Sequence, residues 1–367
     1  MTNSTLSLRA LNRALLARQL LLAREEATPV AVTERLVGLQ AQVPRPPFVG
    51  LWTRIQGFER AQLLDALRKR TVVRATAMRA TIHLLSASDY TSLRGAIQPL
   101  LERGSRSIAR GRGADFDLET ILADGRAFFK KSPSTFETLR DHLKKKYPKV
   151  DERAMAYAIR CHLPLVQVPT DAAWAFPASA EFTLGESWVG KPISVAHAEP
   201  DELVLRYLAA FGPATPADAQ VWSGLSGLRA VFERLRPRLV TFRDDRKREL
   251  FDLPDAPRPP EDAAAPRRFV PEFDNLVLSH EDRTRVIADA HRPLIVTKNL
   301  QVNAVLLVDG FVAGKWTVAR KKTTATVTVT PLGKIPKKAM GAIEAEGKAL
   351  LQFLEPDANI REVRVAS

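Results

Sequence analysis

The sequence has a single cysteine, Cys161, which excludes both a disulfide framework and a cysteine zinc site. Aromatic residues are scarce at 7% and few lie beside basic ones, which argues against a single-strand binder that works by stacking bases. No apolar run approaches the roughly 20 residues of a membrane span. The segment from Met1 to Arg9 is polar and leads into an amphipathic stretch, unlike a signal peptide. A reducing cytoplasm is therefore the expected compartment. The phosphate-loop, Gly-x-Ser-x-Gly and His-Glu-x-x-His signatures are all missing. His142 and His162 have no ligands near them in sequence, and His197 and His291 lie near prolines, so neither a metal nor a cofactor is expected. Acid is short as well. The 41 acidic residues face 55 basic ones, and the net charge of +14 calls for a polyanionic partner, most economically nucleic acid.

At 367 residues with 45% hydrophobic content, the chain has room for two or three domains with real cores. Leu8 to Arg24 reads as an amphipathic helix, and Thr28-Pro29 opens a second one ending at Gln42. Short helices follow Pro46 and Gly57. From Arg74 to Leu85 the period changes to two, as on a half-buried strand that turns Arg79, Thr81 and His83 to one side. After a basic connection (Arg103, Arg106, Arg110, Arg112) the plan recurs. Ser134 to Glu137 has capping-box spacing, helices run to about Lys146 and from Asp151 to Arg160, and strands are expected at Leu165–Val168 and Trp174–Phe176. A third copy has helices opened near Pro200, Thr215 and Ser226, then a hairpin of Leu239–Phe242 with Leu250–Leu253. Helix-turn-helix modules are used in this way. The expected division is 1–112, 113–198 and 199–253 for the three modules, 254–268 as a proline- and alanine-rich linker, and 269–367 as a β-rich subdomain. Asp309-Gly310 marks a two-residue hairpin there, and Arg320, Lys321 and Lys322 sit at the next turn.

The stretch Gly38-Leu39-Gln40-Ala41-Gln42-Val43-Pro44-Arg45 stands out within this plan. On a continuing helix two residues that are two apart diverge by about 200°. Pro44 drives Val43 out of the helical region, so a terminus unwinding here could aim both carboxamides at one place. Further elements follow in a fixed order: Arg79-Ala80-Thr81-Ile82-His83, Gly212 to Asp218 with Trp222-Ser223-Gly224-Leu225, and Phe273-Asp274-Asn275-Leu276 with Ser279-His280-Glu281-Asp282-Arg283. Across nearly the whole chain this series resembles the bacterial winged-helix DNA glycosylase family of AlkZ. A sister branch of that family carries aspartate where Gln42 stands, so the chain looks like the branch that unhooks interstrand crosslinks.

The resemblance implies an α+β fold of three tandem winged helix-turn-helix modules plus the C-terminal β-rich subdomain, C-shaped around DNA. It implies a monomeric, monofunctional glycosylase that acts on N7-alkylated purines and bulky crosslinks in double-stranded DNA, as repair or self-resistance to an alkylating natural product. Gln40 and Gln42 would be catalytic. Arg45, Arg79, Thr81, His83, His280, Arg283, Arg320, Lys321 and Lys322 would contact DNA. An N7-alkylpurine is already cationic and needs no acid to leave. Uncharged amides could then suffice, by orienting a water and offering carbonyl dipoles to the developing sugar cation. Two other readings fit the same charge: a DNA-binding regulator, indifferent to loss of the glutamines, and a resistance protein that sequesters the drug without DNA.

Overall fold

A computed structural model describes residues 4–297, 299 and 301–366, which leaves Met1 to Asn3 of the polar N-terminus outside the described residues. Among these residues the fold is mixed α+β, with fourteen α-helices and three sheets. None of the helices is long and apolar enough to cross a membrane.

The central sheet is antiparallel, in the order Leu39–Gln40, Ile82–Ser86, Val72–Thr76, Leu165–Gln167, Phe182–Leu184. Arg74 pairs with both Leu84 and Gln167, so the first two expected modules share one continuous sheet. Side chains alternate across it, as the pleat requires. Val73, Ala75, Leu85 and Val166 face one apolar cluster with Leu15, Tyr207 and Trp222. Leu39, Ile82, Leu84 and Leu165 face the other, with Phe48, Met155 and Leu350.

Several expected boundaries move. The first helix ends at Arg18 rather than Arg24. The single strand expected over Arg74 to Leu85 is a hairpin, because Arg79 and Ala80 adopt left-handed conformations (φ 54° and 55°) and fold Ile82–Ser86 back on Val72–Thr76. The basic connection is the end of a 25-residue helix, Ala87–Gly111, capped by Ser86. A further helix, Leu118–Lys131, starts on Asp117, and Thr135 rather than Ser134 caps Phe136–Lys146. The strand expected at Trp174–Phe176 lies instead at Phe182–Leu184.

The third copy has its expected elements, although left-handed Gly227 rather than Ser226 precedes its third helix. Asp201–Phe211, Pro216–Ser223 and Leu228–Leu235 lead into a hairpin of Val240–Asp244 with Glu249–Asp252. The irregular segment after it is strapped to the first helix, where Arg18 donates to Pro257 O and Arg13 to Ala263 O. The C-terminal sheet runs Ile360–Val365, Thr324–Pro331, Phe311–Lys321, Val305–Val308, Arg268–Val270. Asp309 and Gly310 (φ 51° and 82°) make the tight turn that their sequence signals.

Candidate active site

The Gln-Ala-Gln element lies on a strand, not on a helix end. The helix Pro29–Arg35 stops early because Val37 and Gly38 turn left-handed (φ 53° and 91°). A Cβ at Gly38 would meet Leu84 O at 2.8 Å, so a glycine is needed where the chain drops onto the sheet. Gln40 then pairs with His83, and Ala41 N donates to Ile82 O at 2.7 Å. Arg74, buried below, donates from Nε and Nη2 to Ala41 O at 3.0 and 2.6 Å and clamps the element from beneath. Burial lowers its guanidinium pKa to about 10, and nearby Arg160 adds to the effect.

The two carboxamides part at this point. Gln42 is exposed and lines an open cleft of about 480 Å³, together with Ile82, Gln167 and Phe182 from the sheet. Three arginines, Arg140, Arg153 and Arg160, and one carboxylate, Glu137, come from the helices Phe136–Lys146 and Glu152–His162 on the other wall. Gln40 is 8% exposed and lines a separate cavity of about 10 Å³ with Gln19, Arg54, Glu272, Asp274 and Asn275. Both amide oxygens are engaged within the protein. Gln40 Oε1 accepts from Arg79 Nη2 at 2.6 Å, and Gln42 Oε1 accepts from Ile82 N at 3.0 Å. Arginine and a backbone N–H can only donate, so both amide orientations are fixed by chemistry.

The wall expected from Arg79, Thr81 and His83 does not form, because a turn separates these residues. Arg79 points inward, donating to Trp222 O, to Gln40 and to Asn275 Oδ1 at 3.1 Å. His83 is fully buried, and burial, followed by the Arg79 charge, lowers its pKa to about 3. The neutral ring donates from Nδ1 to Thr81 O at 3.1 Å and turns its Nε2 lone pair toward Arg79 at 3.4 Å. Thr81 Oγ1 donates locally to Met78 O. His280 is likewise a core group rather than a surface contact. Its Nε2 donates to Phe211 O at 3.1 Å, its Nδ1 meets Ser279 Oγ at 2.8 Å, and burial, then Arg285, lowers its pKa to about 3.

Arg283 is half-buried and donates from Nε to His280 O at 3.3 Å, with its pKa lowered to about 10 by burial and by Arg292. Arg45 pairs with Glu272 at 3.3 Å. At the hairpin tip Arg320 reaches Glu355 at 3.0 Å, while Lys321 and Lys322 are exposed and have no ion-pair partner among the described residues. Sequence reasoning missed Arg140, Arg153, Arg160 and Glu272. For Arg153 and Arg160 a signal existed: seven residues apart on one helix, they share a face.

A family model for DNA glycosylase AlkZ-like proteins matches residues 33–353. This chain belongs to the AlkZ-like family. Among AlkZ-like proteins, an interstrand DNA cross-link repair glycosylase of Streptomyces sahachiroi is 25% identical over 358 residues, covering 90% of this chain and 91% of its own. The solved structure of Streptomyces sahachiroi DNA glycosylase AlkZ superposes with a TM-score of 0.82 at 21% identity, over 99% of this chain and all of that one. The AlkZ-like fold is thereby shared from end to end.

Proposed function

We propose that this protein is a monofunctional DNA glycosylase that hydrolyses the N-glycosidic bond of N7-alkylated purines, bulky crosslinked ones included, and so protects against a DNA-alkylating natural product. The carrying observation is Gln42, an uncharged hydrogen-bonding group exposed at the edge of an open cleft with three arginines along its wall. Such a wall suits a phosphate backbone, and an open cleft suits a lesion that cannot be flipped into a closed pocket. A relative named as a crosslink repair glycosylase supports the same substrate class. Monofunctional chemistry fits as well. A glycosylase that also cuts the strand uses an amine nucleophile, and no lysine lines either cavity among the described residues.

Within this reading both glutamines are catalytic: Gln42 meets the reacting nucleotide at the cleft, and Gln40 orients a water from the small cavity beside it. Arg140 and Arg153 hold one stretch of backbone, and Arg320, Lys321 and Lys322 hold another. Arg79, Thr81, His83 and His280 keep the fold around the site. The test is single-turnover excision from a duplex with one N7-alkylguanine, comparing wild type with Gln40→Ala and Gln42→Ala. Abasic product from wild type and strongly reduced product from each variant, with lesion binding retained, is the expected result. Equal binding of damaged and undamaged duplex with no product from wild type would make the protein a DNA-binding regulator.

A further inference from the structure

The small cavity behind the Gln-Ala-Gln strand is lined by six polar or charged side chains, and nearly all of their capacity is used. Arg54 holds both oxygens of Asp274 at 2.8 Å and also donates to Gln19 and Gly50. Gln19 Nε2 donates to Ala210 O at 2.7 Å. Asn275 accepts from Arg79 and donates to Gly38 O at 3.1 Å. Two groups are left over. Gln40 has its oxygen fixed on Arg79, so its Nε2 hydrogens are what it still offers. Glu272 has Oε1 on Arg45, while its Oε2 is buried and accepts from nothing among the described residues. One is a donor, the other an acceptor, and both belong to the same cavity.

The cavity of about 10 Å³ matches a single water, which needs on the order of 10–15 Å³ and at least two polar partners. Gln40 would donate to that water's oxygen and Glu272 Oε2 would accept one of its protons. A carboxylate supplies what the glutamines cannot, since an amide does not take up a proton usefully near neutral pH.

We propose that Glu272 is a further catalytic residue, the proton acceptor for a water held by Gln40, with Arg79 as the positioning residue that fixes the donor orientation of Gln40. The proposal rests on the excision reaction assigned above. In the step, the water oxygen bonds to C1′ as the C1′–N9 bond breaks. The bonding pair goes to the purine, which enters as a cation and leaves neutral. The water's proton passes to Glu272 and from there to solvent.

Glu272→Gln tests this in the full chain, because it keeps the shape and the oxygen facing Arg45 while removing the base. With a duplex carrying one N7-methylguanine, the single-turnover rate should fall about a hundredfold, with lesion-duplex affinity and urea midpoint unchanged. Glu272→Ala should lose as much, and added formate should restore part of the rate, which a packing role would not allow. A Glu272→Gln rate within about threefold of wild type, a rate loss matched by lost binding or stability, or a Glu272→Ala deficit untouched by formate would each overturn the role. In the first case, continued sensitivity to Gln40→Ala leaves the glycosylase reading standing. No excision by wild type overturns that reading instead.

Discussion

Gln40 and Gln42 are separated by one alanine yet sit in opposite environments. Gln40 is nearly buried, held by an arginine, in a cavity the size of one water. Gln42 is exposed, anchored on a backbone N–H, at the edge of a cleft nearly fifty times larger by volume. A strand normally turns residues two apart to the same side. Here the strand ends at Gln40; Ala41 keeps one backbone bond to Ile82, its carbonyl turns to Arg74, and Gln42 lies beyond the ladder. The same side chain, its amide oxygen fixed at both positions, is thus enclosed at one and open to a large ligand at the other. The first suits a reacting water, the second a lesion of variable bulk.

The contrast can be broken most severely from below. Asp274→Ala leaves Arg54 buried without its bidentate partner and should cost about 3–5 kcal/mol of stability, measured by urea unfolding. Next comes the asymmetry between the glutamines themselves. Gln40→Ala removes one charge-assisted acceptor of the half-buried Arg79, which keeps Asn275 and Trp222, and should cost about 1–3 kcal/mol, whereas Gln42→Ala should stay within about 0.5 kcal/mol. Equal costs would mean that the two environments do not differ energetically.

A third effect depends on pH. His83 and His280 are held neutral, with pKa values lowered from 6.5 to about 3. Below pH 6.5 the unfolded chain takes up protons that the folded chain refuses, so their contribution is present above that pH and is lost as pH falls toward 3. The loss is up to about 1.4 kcal/mol per pH unit for each histidine. Urea midpoints taken from pH 7 downward should show a shallower decline in His83→Gln than in wild type. The smallest effect belongs to the surface. Lys322→Ala should lower the salt dependence of duplex binding by about one unit of slope and leave saturating excision unchanged.

Local signals were legible wherever a residue type dictates backbone geometry. Thr28-Pro29, Thr215-Pro216, Asp151 and Asp309-Gly310 mark caps and a turn at the positions found. The turn at Arg79 and Ala80 was not legible, because neither residue type favours a left-handed conformation and the apolar alternation runs straight through it. Val30, Val32, Leu36 and Leu39 extend a helical period past its true end, although Gly38 offered the stop signal. The glutamines could be singled out from sequence, but their separation into two cavities depends on Arg79 and Ile82. Glu272 lies more than 200 residues from Gln40 and becomes its neighbour only through the fold.

Val72–Thr76 is bonded on one side to the strand that carries the motif's partner His83 and on the other to Leu165–Gln167. The floor of the cleft is therefore a single hydrogen-bonded plate, running from the strand that carries Gln40 to Phe182–Leu184. A jaw-like closure across that floor would have to unzip the plate. If the cleft takes a damaged duplex as proposed, fitting falls to the nucleic acid, whose bending commonly costs of order 1–6 kcal/mol. A lesion that already weakens stacking enters with part of that distortion in place, so damage could be recognised through the ease with which DNA yields to an unyielding surface.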